Sequence, residues 1–250
     1  MEAKALKIFG NIGSGVKLFH SVKVFNNCIK DIEAARQSGD TAKEREIIAA
    51  ATYKWASNVT QLFDIHWHVK GLENVPPSGP VVFVANHQGY ADIVAFLATI
   101  PGRQIGFVAK DGLQKAPYFG KWVKNIRGVF IKRGNPREAL TSINEGIELL
   151  KQGFSLVIFP EGTRSQGGPI KTFKPGSFKL ATKASVPIVP VTINGTYKIF
   201  EETGIITRGK DVDFIIHPAV ETASLDRHAS ATLISDVENI IRAGMEKLNT

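Results

Sequence analysis

The chain has 250 residues, 43% of them hydrophobic, enough for a substantial core and too many for a disordered polymer. Lys and Arg number 31 against 23 Asp and Glu, and the resulting charge of +8 points to an anionic partner: nucleic acid, an anionic membrane or a phosphorylated substrate. With 1 cysteine, Cys28, an intramolecular disulfide and a Cys-ligated structural zinc site are both excluded.

The opening stretch MEAKALKIFGNIGSG lacks the apolar run and small-residue cleavage site of a secretory signal. No segment approaches the roughly 18 uninterrupted apolar residues of a membrane span, so a soluble or surface-bound protein is expected. Between positions 4 and 27, Ile8, Ile12, Val16 and Phe19 fall on one helical face, although Gly10, Gly13 and Gly15 each cost about 1 kcal/mol relative to alanine. Across residues 1–30, Lys4, Lys7, Lys17, Lys23 and Lys30 are opposed only by Glu2. Residues 31–46 are charged and contain the turn sequence Ser38-Gly39-Asp40. A second helical face follows, with Ile48, Trp55, Val59 and Leu62.

The expectation is an N-terminal amphipathic two-helix appendage over 1–66. Two readings of it stand. It packs on the core as an ordinary hairpin, or it sets an apolar face bearing Phe19, Trp55 and Phe63 into a bilayer interface as a membrane anchor. Spanning is disfavoured, because Lys17 at mid-membrane costs about 3 kcal/mol on insertion scales. Residues 75–80, with three prolines and a glycine, form the junction to a body covering 67–250.

In that body, short β-branched runs bounded by Gly, Pro, Asn or Asp predict strands at 81–85, 105–109, 129–131, 154–159, 187–193 and 212–216. Longer amphipathic stretches predict helices at 91–100, 136–152, 178–184 and 229–248. The alternation implies an α/β fold: a mixed, mostly parallel sheet flanked by helices.

Several motifs fail. Gly204-Ile-Ile-Thr-Arg-Gly209-Lys210 has P-loop spacing, but Asp211 follows where Ser or Thr would hold magnesium, and no helix pattern comes after it. Neither a G-x-S-x-G elbow nor an H-E-x-x-H zinc motif occurs. The basic residues are not interleaved with aromatics as in single-strand nucleic-acid binders. Asn58-Val-Thr60 and Asn194-Gly-Thr196 match glycosylation sequons, which carry little weight without a secretory signal.

Four segments carry chemistry. Asn86-His87-Gln-Gly-Tyr-Ala-Asp92 follows the strand at 81–85 and leads into a helix, the position where open α/β sheets hold active sites. A carboxylate on one imidazole nitrogen fixes the tautomer and raises the basicity of the other, which can then take a proton from a hydroxyl; Asp92, in the first helical turn after His87, is within reach of that role. Gly128-Val-Phe130-Ile-Lys-Arg133 is a strand ending in a basic fork suited to phosphate. Phe159-Pro160-Glu161-Gly162-Thr163-Arg164-Ser165 ends an apolar strand with a flexible glycine and a second cation. Val186-Pro187-Ile-Val-Pro190-Val191 brackets a strand with prolines and shapes the sheet wall. Alone, the first three have bland readings: a helix-capping Asp beside a surface His, a solvated charge, and a turn.

In this order and at these separations, the four segments resemble the glycerophospholipid acyltransferases, specifically the 1-acylglycerol-3-phosphate (lysophosphatidic acid) acyltransferases, over residues 69–194. The resemblance implies an O-acyltransferase of phospholipid biosynthesis that makes phosphatidic acid, with His87 and Asp92 as its H-x4-D catalytic pair. It implies that Gly128, Phe130 and Arg133, with Glu161, Gly162, Thr163 and Arg164, hold the glycerol phosphate. Lys110 falls on a basic position of a K-x-E-L…P…G stretch, here Lys110-Asp-Gly112-Leu113…Pro117…Gly120, with Gly112 replacing the usual Glu. Gly89-Tyr90 replaces small hydroxyl residues common in the family. No cofactor and no metal are implied; the co-substrate is acyl-CoA or acyl-acyl carrier protein. The expected partners are lysophosphatidic acid, that donor and an anionic membrane surface rather than nucleic acid. The expected location is peripheral or monotopic, on the cytoplasmic face of the membrane. Acylation of glycerol 3-phosphate or another lysophospholipid, and a non-catalytic lipid-binding protein on the same scaffold, stay open as alternatives.

Overall fold

β-Branched runs bounded by turn residues pair into one seven-stranded sheet in the computed structural model, which describes Ser21 and residues 28–116, 119–132 and 136–248. The first half runs α1 (Ile29–Gln37), α2 (Thr41–Phe63), β1 (Ile65–Lys70), β2 (Val82–Ala85), α3 (Asp92–Thr99), β3 (Ile105–Lys110) and α4 (Phe119–Asn125). The second runs β4 (Val129–Ile131), α5 (Pro136–Lys151), β5 (Ser155–Ile158), α6 (Lys179–Ala184), β6 (Ile188–Asn194), β7 (Lys210–Ile216) and α7 (Arg227–Leu248). The strand order is β1-β7-β6-β2-β5-β3-β4, and every neighbouring pair is parallel except β6 with β7. This is the mixed, mostly parallel α/β sheet that the alternation implies.

The central strands read as unbroken apolar runs because helices cover both faces. Phe83, Ala85, Ile105, Phe107, Val157, Val191 and Phe214 turn to one face and form a core with α2, α3 and α4. Val82, Val84, Leu156, Ile158 and Ile188 turn to the other, against α5, α6 and α7. Neighbouring residues of β2 thus belong to different cores, as a period of two requires.

The N-terminal helices α1 and α2 are joined through the turn at Ser38-Gly39, and Asp40 caps α2 by accepting the Lys43 N–H at 2.9 Å. Ile32, Ile48, Trp55, Val59 and Phe63 are buried in the first core. Trp55 and Phe63 therefore face the protein, and this corrects their assignment to a bilayer-facing surface. Phe19 and the whole helical stretch expected at 4–27 lie outside the described residues, apart from Ser21. Glu44, fully buried, accepts from Arg36 Nε at 2.9 Å and takes both Arg127 Nε and Nη2, at 2.7 and 2.6 Å. Arg127 precedes β4, so this ionic cluster ties the N-terminal helices to the body. None of the described helices is long and apolar enough to cross a membrane.

The sequence reading omits α1, α4 and β1. Residues of α1 carry the charges that read as part of the turn segment. α4 spans less than two turns, too few for a period to emerge. β1 is an edge strand whose residues after Ile65 are only partly buried or exposed, so His66 and His68 occupy positions that a central strand fills with apolar side chains.

Candidate active site

β2 and β5 are adjacent and parallel, so their carboxyl ends release two loops at one edge of the sheet. Asn86 begins the first loop and continues the β2–β6 pairing with its side chain: Nδ2 donates to Ile193 O and Oδ1 accepts from Ile193 N–H, each at 2.8 Å. Gln88 anchors the loop again by accepting the Gly195 N–H at 2.8 Å. Between these anchors stands His87.

Asp92 occupies the first residue of α3 with its side chain fully buried. Its Oδ2 accepts the N–H groups of Gln88 and Gly89 at 2.8 and 3.1 Å, and its Oδ1 accepts the Thr196 hydroxyl. Ringed by donors, the carboxylate also accepts from His87 Nδ1 at 2.6 Å. The proton is thereby held on Nδ1, and Nε2 keeps its lone pair. The imidazole stacks on Phe159, with centroids 4.0 Å apart and planes 14° from parallel. The His87 side chain remains 19% exposed, open to a substrate.

The second loop is stitched to the first. Glu161, 3% exposed, accepts the His87 N–H at 2.7 Å on one oxygen and the Lys171 N–H at 2.9 Å on the other. Burial pushes its carboxyl up from the usual range, while those two N–H groups oppose the rise. Ser165 N–H donates to His87 O at 2.7 Å, and Gln166 N–H to Gln88 O at 3.1 Å. Gly162 turns the chain at φ +71°, where a Cβ would come within 2.6 Å of Lys174 Nζ. Its N–H donates to Phe159 O at 3.0 Å. Thr163 is exposed at the crest of the loop. Arg164 donates to Glu201 Oε1 at 2.7 Å and lies over the Tyr90 ring, 3.7 Å from its centroid.

Lys110 closes β3 on the same edge, exposed and without a hydrogen bond or ion pair among the described residues. With strands roughly 4.8 Å apart, the carboxyl ends of β3 and β4 stand about 10 and 15 Å along the edge from that of β2. Gly128 lets β4 join the sheet: a Cβ there would sit 2.8 Å from Phe107 O. Phe130, on β4, packs against the first core. Both line a cavity of about 310 Å³ with Lys124, Arg127 and Glu145. Arg133 and Pro117 lie outside the described residues. Among those described, no group of three or more His, Cys, Asp or Glu is arranged to hold a metal ion.

Thr196 and Glu201 are the site residues that the motifs miss. Both follow β6; Thr196 lies in Asn194-Gly-Thr196, which reads as a sequon, and Glu201 has no sequence signal. In the fold that tripeptide serves the first loop: Gly195 N–H binds Gln88 and Thr196 binds Asp92.

Residues 66–194 match a family model described as Acyltransferase. A chloroplastic 1-acyl-sn-glycerol-3-phosphate acyltransferase of Brassica napus is 40% identical over 162 residues, covering 63% of this chain and 46% of that protein. The chain thus spans about half the length of this relative and, at 48%, of one from Arabidopsis thaliana. A 1-acyl-sn-glycerol-3-phosphate acyltransferase of Borreliella burgdorferi is 31% identical, with 73% of this chain and 71% of that one covered. Among solved structures, the 1-acyl-sn-glycerophosphate (LPA) acyltransferase PlsC of Thermotoga maritima superposes with a TM-score of 0.72 at 27% identity, over 95% of this chain and 98% of that one.

Proposed function

Because this chain belongs to the acyltransferase family, we propose that it transfers a fatty acyl group from an acyl thioester to the 2-hydroxyl of 1-acylglycerol 3-phosphate, giving phosphatidic acid. The observation that carries the reading is the 2.6 Å contact of His87 Nδ1 with the buried Asp92, which leaves Nε2 as a base at the mouth of the sheet edge. The thioester is already activated, so no covalent acyl-enzyme is needed. His87 Nε2 removes the hydroxyl proton as the oxygen attacks the thioester carbonyl, and the imidazolium that forms is balanced by Asp92. The thiolate leaves, and the ring returns its proton to it or to solvent. The oxyanion needs N–H donors. Since the Gly162 N–H is engaged by Phe159, those of Thr163 and Arg164 are the candidates.

Lys110 and Arg164 bind the acceptor phosphate, with Arg133 assigned the same task from its sequence motif alone, and Glu161 holds the loop of His87 through its backbone N–H. The donor is coenzyme A or acyl carrier protein. A one-tailed acceptor and a two-tailed product reside in a bilayer, so the edge works at a membrane surface. Lys4, Lys7, Lys17 and Lys23 supply the attraction to anionic lipid, each about 1 kcal/mol near the surface. Peripheral attachment to a membrane surface follows from this reading, and we assign it to the cytoplasmic face.

The test is acyl transfer by purified protein in detergent, with radiolabelled acyl-CoA and acyl-carrier-protein donors offered to lysophosphatidate and to glycerol 3-phosphate. Label in phosphatidate is the expected product. Label only in acylated glycerol 3-phosphate would move the acceptor and keep the chemistry. Absence of label from every pair would refute the enzyme.

A further inference from the structure

Glu201 lies beyond the residues matched by the family model and outside all four motifs, yet its side chain is 3% exposed beside the site. One of its oxygens does two things. Oε1 accepts the Tyr90 N–H at 2.9 Å, from the loop that carries His87, and Arg164 Nη1 at 2.7 Å, from the loop after β5. Oε2 is buried with no partner among the described residues. The carboxylate occupies the space a side chain at position 89 would need, because a Cβ on Gly89 would collide with Oε2. Gly89 and Glu201 are therefore one steric unit: the glycine makes room for the acid.

Arg164 is gripped from two directions. Glu201 holds one guanidinium nitrogen, and the Tyr90 ring lies against the cation at 3.7 Å. Its side chain is 25% exposed, and its other N–H groups have no partner among the described residues. A guanidinium fixed in this way keeps free donors in a preset direction, which lowers the ordering cost of binding a phosphate.

We propose that Glu201 is a positioning residue for acceptor binding: its Oε1 fixes Arg164, with Tyr90, in the orientation that receives the acceptor phosphate. The proposal rests on the reading of Arg164 as a phosphate anchor. Because a single oxygen makes both contacts, the role requires an acceptor atom at that point and not a negative charge. Gln at 201 preserves it and Ala removes it.

The experiment compares acyl-transfer kinetics of the full chain and of Glu201→Ala, Glu201→Gln, Arg164→Lys and the double variant Glu201→Ala/Arg164→Lys, with melting curves for each. Glu201→Ala should raise the acceptor KM about tenfold, the scale of one hydrogen bond to a charged group, with a smaller fall in kcat. Glu201→Gln should restore KM to within about threefold of the parent, and the double variant should be no worse than Arg164→Lys. An unchanged KM in Glu201→Ala while Arg164→Lys raises it would overturn the positioning role alone. So would Glu201→Gln as impaired as Glu201→Ala, or effects that multiply in the double variant. An unchanged KM in Arg164→Lys would instead remove the anchor reading and this proposal with it. Should Glu201→Ala not fold, Gly89→Ala takes its place: it crowds the carboxylate from the other side and should raise KM likewise, and an unaltered KM there would also overturn the role.

Discussion

Asp92 serves four donors with two oxygens, and that arrangement determines what His87 does. An amide in its place would keep its oxygen where Oδ2 meets Gln88, Gly89 and His87 and turn its NH2 to the Thr196 hydroxyl, so the geometry survives while the negative charge that balances the imidazolium is lost. Asp92→Asn should therefore fold normally and lose about 10³- to 10⁴-fold in kcat, read by steady-state acyl transfer beside a melting curve. Thr196 is a milder case. Thr196→Val keeps the shape but leaves Oδ1 short of a donor, and a hydrogen bond to a charged group is worth about 1.5–3 kcal/mol. About a tenfold fall in kcat with an unchanged acceptor KM is expected; a change in KM alone would contradict the assignment. The His87–Asp92 pair was legible because both partners lie within one loop and the helix it enters. Thr196 and Glu201 were not, because they meet Asp92 and Tyr90 across more than a hundred residues of sequence. No local pattern reports a contact that only the β2–β6 pairing creates.

Elements are joined by two polar clusters that hydropathy could not reveal. Glu44 on α2 holds Arg36 from α1 and Arg127 from the turn before β4, with its own side chain 1% exposed. Glu44→Ala strands two partly buried guanidinium groups, and a loss of about 2–4 kcal/mol in urea unfolding is expected, with the sheet otherwise intact. The second cluster joins β6, β7 and α7: the Thr192 hydroxyl donates to Ile241 O at 3.0 Å and accepts from His217 Nε2 at 2.8 Å. Burial, helped by the Lys247 charge, lowers His217 below its ordinary 6.5. The unfolded chain then binds the proton first, so the stability this ring contributes is complete above 6.5 and is lost as pH falls below it toward the lower folded value. The urea midpoint should drop between about pH 7.5 and about pH 5.5, and His217→Gln should flatten that drop. Equal slopes in both proteins would contradict it. At this scale the central strands were legible because burial on both faces makes them continuous apolar runs. β1 carries a strand signal, the alternation of Ile65, Trp67 and Val69 with His66, His68 and Lys70, but its polar half sets it apart from the continuous apolar runs of the central strands.

For the whole molecule, the distribution of charge and the location of the core separate two questions that the sequence had merged. Helix α2 is part of the fold, because Ile48, Trp55, Val59 and Phe63 bury themselves against the sheet. Removing residues 1–66 would expose that face and unfold the body, so it cannot test membrane attachment. The lysines ahead of α1 can. Replacing Lys4, Lys7, Lys17 and Lys23 with glutamate should leave the melting temperature unaltered and release most of the protein from anionic liposomes in flotation. Flotation equal to that of the parent would place the attachment elsewhere.

The account turns on His87 Nε2 as the base. The most direct measurement is kcat/KM for lysophosphatidate acylation by His87→Ala beside the parent, with both proteins shown to melt alike. A positioned base contributes about 10²- to 10⁴-fold, and a fall in that range at an unchanged melting temperature is the predicted result. Turnover by His87→Ala within about threefold of the parent would contradict the mechanism, whatever the acceptor proves to be.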